Sequence, residues 1–293
     1  MRLSTTTLTG FDYWTAIEMC AKAGFDCIDL NLIENAYAEE FSDENYPETC
    51  KKLLEKIKAL GLVFNQAHAP FPSLKWGDDV YNQKVHSGIV RAIRIAGLLG
   101  AEQVVVHPFT IPDKEKQLEA NLAFFNSLAP ICREAGTKVA IENMFSRHPY
   151  ENKIIPGVCN YPEDMIEIYE ALDPECFTLC LDTGHCALLK RNPADYPRAL
   201  TGKRLHALHV QDNVGKDDIH TIPYQGNIDW TAFMQSLADA GYTGDLTFEV
   251  GGKLFKPYKD KPDMQQAYFS FLAATGRHLI GIFDARRAEI EGK

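Results

Sequence analysis

Six side chains able to bind a metal or move a proton stand where short apolar runs end: His68, His107, Glu142, Asp182, His209 and Glu249. The runs before them, such as FTLCL ahead of Asp182 and LHAL ahead of His209, read as buried strands. Carboxylates gathered at one place repel unless a cation or a proton lies between them. If the strand ends converge, Glu142, Asp182, His209 and Glu249 offer one divalent ion a mixed oxygen and nitrogen ligand set, suited to Mn²⁺, Co²⁺, Zn²⁺ or Mg²⁺. His68 or His107 taken alone reads more readily as a satisfied loop residue than as a ligand.

Convergence requires a scaffold. The sequence predicts eight strands, over 2–9, 25–32, 63–70, 103–109, 138–144, 177–183, 205–212 and 245–250. Helical patterns lie between them: in VHSGIVRAIRIAGLLG, Val85, Ile89, Ala92, Ile93, Ala96 and Leu99 form one apolar stripe. Gly24, Gly61, Gly100, Gly136 and Gly241 stand where these helices stop, as a left-handed turn into the next strand requires. Eight strand–helix repeats fit a (β/α)₈ TIM barrel of α/β class, forming one domain over 1–293. A doubly wound open sheet is the runner-up, but no strand here runs into GxGxxG.

In such a barrel the C-terminal strand ends form the active face. Strand alternation then sets an inner face. His209, Ala207 and Leu205 point inward together, as do Glu249 with Thr247, Asp182 with Cys180, Glu142 with Ala140 and His68 with Gln66. Leu208, Val210, Phe248 and Val250 then face the helices. The opposite register would bury carboxylates under helices, at several kcal/mol each unless paired.

Bulk properties narrow the partners. With 45% hydrophobic residues and no run of eighteen apolar residues, the chain reads as globular with no membrane span. Its start, MRLSTTTLTGFDYW, has no secretory pattern. The net charge of −10 argues against a nucleic-acid partner. Eight cysteines without a CxxC pair read as reduced thiols of a cytoplasmic protein.

The motifs IENM (141–144), LDTGH (181–185), HVQDNVGKDDIHTIPYQGNIDW (209–230) and FEV (248–250) resemble the sugar-phosphate isomerase/epimerase-like branch of the xylose-isomerase-like barrels. That superfamily also holds ketose 3-epimerases, inosose dehydratase-like proteins and endonuclease IV. The resemblance covers essentially the whole chain. It implies Glu142, Asp182, His209 and Glu249 as ligands of one divalent metal, Mn²⁺ first. It also implies Glu142 and Glu249 as the proton carriers of an enediolate mechanism on a small carbohydrate. His185 is then expected to hold a substrate oxygen, with His68 and His107 doing the same or orienting ligands. Homodimers or homotetramers are expected from the family.

Two alternatives stay open. A dehydratase or lyase begins with the same proton abstraction and then expels a leaving group. An endonuclease IV-like enzyme binds three zinc ions, and the residue types it needs are present when Asp218 and His220 are added as further metal ligands. The sequence departs from the usual Pro-Gly-x-Gly, which reads PYQG with Tyr224 in place of a glycine. Tyr224 is expected either to narrow the pocket or to face solvent. Residues 145–164 read as a long loop able to act as a lid. Lys216, with Arg147, Lys153 and Lys253, is expected near the mouth, where it could hold a substrate phosphate, but each of the four reads more readily as a surface charge. Phe71 and Trp76 are expected to pack on a sugar face or to pin their loop.

Overall fold

Parallel pairing joins β1 (Leu3–Thr6), β2 (Cys27–Asn31), β3 (Val63–His68), β4 (Gln103–Val106), β5 (Lys138–Glu142), β8 (Phe177–Asp182), β9 (Leu205–His209) and β10 (Leu246–Phe248). The order is β10-β1-β2-β3-β4-β5-β8-β9, and a parallel bridge between Val210 and Phe248 joins the two edges. The result is the expected (β/α)₈ barrel, seen in a computed structural model that describes residues 1–7, 11–151, 153–200, 204–251, 256–258 and 260–292. Leu8 and Thr9 of the first predicted strand, and Lys253, lie outside the described residues. The remaining strands β6 (Phe145–Arg147) and β7 (Ile154–Pro156) pair antiparallel as a separate hairpin. The segment expected to be a structureless loop therefore carries its own backbone pairing, followed by helix α5 (Pro162–Glu170).

Helices α1 (Tyr13–Ala23), α2 (Tyr46–Ala59), α3 (Asp79–Leu99), α4 (Gln117–Ala135), α8 (Trp230–Asp239) and α9 (Pro262–Ile290) surround the strands, with two short ones, α6 (Thr183–Leu188) and α7 (Tyr196–Ala199), above β8. Gly24, Gly100 and Gly136 cap α1, α3 and α4 in the left-handed conformation. Gly61 and Gly241 take it two residues past their helices. Gly97 answers to packing instead: a Cβ there would meet the carbonyl oxygen of Ala135 at 2.3 Å, so α3 and α4 touch backbone to backbone.

The predicted alternation holds at the level of the site. Val105, Ala140, Cys180 and Ala207 form a small apolar cluster of their own, separate from the main core. Leu208, Val210, Phe248 and Val250 belong to the larger core with the helices. Leu205 is the exception. The β8/β9 register shifts between Leu179 and Cys180, so Leu205 pairs with Leu179 and joins the outer layer. A second shift, between Ile28 and Asp29, pairs Ile28 with Phe64 but Asp29 with Gln66. The extra residue, Asn65, turns inward to Ser4 (2.7 Å) and Thr247 (3.1 Å), and Gln66 still reaches Asp29 (3.1 Å). One side of the interior is thus small and apolar and the other is hydrogen-bonded.

The long connection from β9 to α8 is organised by Asp212, which is fully buried. Its carboxylate accepts from the Trp230 indole (2.9 Å) and from the backbone N–H of Asn213 (2.9 Å), Tyr224 (3.0 Å) and Ile228 (3.3 Å). A Cβ at Gly226 would meet Asp212 Oδ1 at 2.1 Å, so only glycine fits. His209 to Asp212 and Gly226 to Trp230, the two ends of the 209–230 motif, are therefore two halves of one loop clasp. Asp212→Ala is expected to lower stability by about 3 kcal/mol, because buried donors lose a charged acceptor, while Val214→Ala on the same loop stays within about 0.5 kcal/mol. Urea unfolding of both variants measures the contrast.

Candidate metal centre

Each predicted group lies at the C-terminal rim. His68, Glu142, Asp182 and His209 end β3, β5, β8 and β9, while His107 and Glu249 follow β4 and β10 by one residue. His185 falls in the first turn of α6 rather than in an open loop, and Asp182 caps that helix by accepting from the His185 N–H at 2.7 Å. One carboxylate thus both shapes the turn and faces the site.

At the centre, one ligand atom from each of Glu142, Asp182, His209 and Glu249 lies within 4.8 Å of the others. His209 Nδ1 is 3.2 Å from Glu142 Oε1 and 3.5 Å from Glu249 Oε2. Glu142, Asp182 and His209 are almost wholly buried, whereas the Glu249 side chain keeps 17% exposure. Glu249 is therefore the member most open to the mouth. Three oxygens around this floor are buried with no hydrogen-bond partner among the described residues: Asp29 Oδ1, Gln66 Oε1 and Gln211 Oε1. An excess of acceptors over donors in a buried carboxylate cluster is what a cation relieves. The donor set, three carboxylates and one imidazole, fits a divalent metal.

Burial raises both glutamates, but their neighbours pull them apart. His209 and His107 outweigh burial at Glu142 and hold it well below the usual carboxylate range. At Glu249, burial outweighs His209 and His220 and, with the charges of Glu142 and Asp182, lifts the carboxyl to about 8. Burial works against a charge on His209, yet Cys180, Glu249 and Glu142 hold its imidazole well above the ordinary value.

Two groups flank the centre. On one side His68 and His107 bring their Nε2 atoms to 3.1 Å, with His107 Nε2 2.9 Å from Glu142 Oε2. Burial, then the charges of His107 and His209, drives the His68 pKa well down, so the ring is neutral. Its Nδ1 donates to the Ala69 carbonyl (2.8 Å), leaving Nε2 as an acceptor. On the other side Asp218 Oδ2 lies 2.9 Å from His220 Nε2 and 3.9 Å from His185 Nε2. Both histidines are lifted by acidic neighbours against burial, His220 to about 10, and both imidazoles pull Asp218 down despite its burial. His220 adopts φ 49°, a strained conformation for histidine, while its Nδ1 donates to the Glu249 carbonyl at 2.8 Å.

Several supporting residues stand outside the expected site residues. Asp29 lies 3.5 Å from His209 Nε2, and Gln66 lies 3.0 Å from the same nitrogen. Asn143 bonds both the N–H and the C=O of Asp182 (2.7 and 3.1 Å), and its own carbonyl accepts from His185 Nδ1 (2.8 Å). Gln211 donates to Asp182 (3.2 Å) and Asp218 (3.0 Å), and it lies so close to Gly184 that a Cβ there would fall 2.3 Å from its side chain. Asp29 sits inside β2 outside every quoted motif, whereas Asn143 and Gln211 fall within IENM and the 209–230 motif, one and two residues past a candidate ligand.

The remaining expectations divide. Phe71 stacks on His107 with ring centres 4.5 Å apart, and Phe145 lies edge-on to His185 at 5.0 Å. Arg147 is engaged by Asp217 at 3.4 Å. Lys216 and Lys153 are exposed, and no hydrogen bond or ion pair joins either side chain to the cluster. Tyr224 keeps the glycine-like backbone of its motif at φ 74°, but its ring is half exposed and lies 5.8 Å from His278 on α9, away from the cluster. All eight cysteines are buried and unbridged. Among the described residues no helix is long and apolar enough to cross a membrane.

Known proteins agree with this architecture. The fold matches a D-tagatose 3-epimerase-like protein with a TM-score of 0.75, at 23% identity over 98% of this chain and 99% of that one. It matches L-ribulose 3-epimerase at 0.73, with 18% identity over 99% and 97%. In sequence the chain is 31% identical over 246 residues to the uncharacterised protein MJ1311 of Methanocaldococcus jannaschii, covering 80% of this chain and 78% of the relative. The family model for xylose isomerase-like TIM barrels matches residues 17–269, and the chain belongs to that family.

Proposed function

We propose that the protein is a metal-dependent isomerase or epimerase of a small carbohydrate or cyclitol. The observation that carries this reading is the meeting of Glu142, Asp182, His209 and Glu249 within 4.8 Å at the rim where barrel enzymes do their chemistry. These four would hold one divalent ion, with Mn²⁺ the first to test. When bound, the ion supplies positive charge that polarises a carbonyl and its neighbouring hydroxyl and acidifies the C–H between them.

The protein's own groups then move the proton. Glu142 and Glu249 are the two carboxyl groups placed to take and return it, and the surrounding charges push their proton affinities apart in the metal-free site, Glu142 below the usual range and Glu249 up to about 8. Two carboxyls pushed to unlike proton affinities suit abstraction at one carbon face and return at another. His185 keeps its Nε2–H toward Asp218 at 3.9 Å, too long for a good hydrogen bond, and a substrate hydroxyl placed there would accept from one and donate to the other. Phe71 supplies an apolar wall on the His107 side and Phe145 on the His185 side.

Incubation of the Mn²⁺-loaded protein with keto-sugars and inososes in D₂O is expected to put deuterium at the carbon beside the carbonyl. Glu142→Gln and Glu249→Gln should each slow that uptake by about 10²–10⁴-fold. A product that has lost water would assign the site to a lyase, and an absence of exchange with every candidate sugar would remove the reading.

Metal binding should release protons. Glu249 is protonated below about 8 and His209 is held protonated at neutrality, yet both must bind as bases. Affinity is therefore expected to rise from pH 6 to pH 8.5. Calorimetry in two buffers of different ionisation enthalpy should show proton release at pH 7; a release of zero contradicts the assignment of these ligands.

Gly184→Ala offers a subtler check. The new methyl would push Gln211 off Asp182 and Asp218, and metal affinity should fall by about tenfold with little change in melting temperature.

A second reading is favoured by the two flanking groups, His68 and His107 beside Glu142, and His185 and His220 beside Asp218. Filled with zinc, they would give the three-metal site of a phosphodiesterase acting on abasic DNA. Elemental analysis separates the readings: three zinc ions per chain and cleavage of an abasic duplex support the nuclease, one ion and no cleavage support the sugar enzyme.

A further inference from the structure

Both ring nitrogens of His209 have polar neighbours. Nδ1 faces Glu142 Oε1 at 3.2 Å and Glu249 Oε2 at 3.5 Å, the side on which a cation would be held. Nε2 faces the barrel interior, 3.0 Å from Gln66 Nε2 and 3.5 Å from Asp29 Oδ2. The ring is wholly buried and lies parallel to that of His68, with centres 5.3 Å apart.

An imidazole nitrogen that ligates a metal must be bare, and the ring proton then sits on the other nitrogen. For Nδ1 to face a cation, Nε2–H needs an acceptor inside the barrel. Gln66 presents its amide nitrogen there, which donates and cannot accept. Its carbonyl oxygen has no partner among the described residues and could accept only if the amide turned over. Turning would set that oxygen against Asp29 Oδ2, which accepts from Gln66 Nε2 at 3.1 Å. Two buried acceptors in contact would both go unmet, so Asp29 keeps the amide as it is.

Asp29 is then the acceptor for Nε2–H. It is wholly buried, its Oδ1 has no hydrogen-bond partner, and among the described residues no lysine or arginine pairs with it. A buried carboxylate in that position needs a further donor. The register shift between Ile28 and Asp29 pairs Asp29 with Gln66 and so brings both side chains to the same nitrogen.

We infer that Asp29 is a positioning residue for His209: its carboxylate holds the ring proton on Nε2 and leaves Nδ1 bare toward Glu142 and Glu249. The inference rests on the proposed role of His209 as a metal ligand and goes beyond it by naming the group that selects the ligating nitrogen.

The test compares the full-length wild type, Asp29→Asn, Asp29→Ala and Ser4→Ala. Ser4 lies on the same barrel floor but bonds Asn65 at 2.7 Å, so its variant reports on loosening of the floor alone. Nitrogen NMR of histidine-labelled, Zn²⁺-loaded protein reads which nitrogen carries the proton, with His209 assigned by loss of its signals in His209→Gln. The wild type is expected to show Nε2–H, protected from exchange with water, and a bare Nδ1. Asp29→Ala at saturating Zn²⁺ should lose the protected Nε2–H signal. Calorimetry with Mn²⁺ should show binding about 10–100-fold weaker in the two Asp29 variants and within about twofold of wild type in Ser4→Ala. A proton on Nδ1 in the loaded wild type overturns the inference, as does wild-type affinity in both Asp29 variants or an equal loss in Ser4→Ala. If neither Asp29 variant folds, the wild-type spectrum decides by itself. Wild-type protein that takes up neither ion removes the metal reading, and this inference with it.

Discussion

Three carboxylates and a buried imidazole are forced together at the mouth of this barrel, and the remaining architecture can be understood as holding them there. Glu142 and Asp182 are nearly inaccessible to water, so their charges are not screened by solvent. The cluster persists in the fold because imidazoles on either side supply partial compensation: His209 and His107 for Glu142, His185 for Asp182, and His220 for Glu249. That compensation is uneven. It leaves Glu142 ionised and Glu249 protonated at neutrality, and it leaves acceptor oxygens unpartnered on the floor. On the proposed reading, a binding site for a cation and a pair of unlike proton carriers would be two consequences of one electrostatic arrangement.

The support beneath this cluster divides into a packed half and a bonded half. Ala140, Cys180 and Ala207 are small because they stand directly below ligands on the inner face, where larger side chains would crowd the strand ends. On the opposite side the shifted register at Asn65 gives β3 two consecutive inward amides, which bond Ser4, Thr247 and Asp29 and reach His209 from below. A candidate ligand bonded from behind in this way has its orientation fixed by the fold. The loops answer to the same need. Asp212 gathers the long β9–α8 connection so that Asp218 and His220 return to the rim, and His220 accepts a strained backbone to do so.

Above the rim the protein changes character. Phe71 and Phe145 lean over the two flanking histidine groups. The β6/β7 hairpin carries Phe145 to its place. Gly157, where a Cβ would meet Met144 backbone at 2.7 Å, lets the returning strand lie close against the end of β5.

The sequence by itself determined the barrel, the strand ends and the inner face, because periodicity and the placement of glycines are local signals that survive in one dimension. It placed His68, His107, Glu142, Asp182, His185, His209 and Glu249 at one rim on that basis, and the family resemblance added Asp218 and His220. It did not show that Asp212 clasps a loop, that Tyr224 faces α9, or that residues 145–156 pair as a hairpin. Nor could it single out Asp29, Gln66 or Gln211, whose importance lies in hydrogen bonds across sheet neighbours and loops. Those were decided only by tertiary structure. A one-residue register shift between strands redirects side chains without leaving a pattern in either strand, and the proton affinity of a carboxyl depends on charges that arrive from elements far away in the chain.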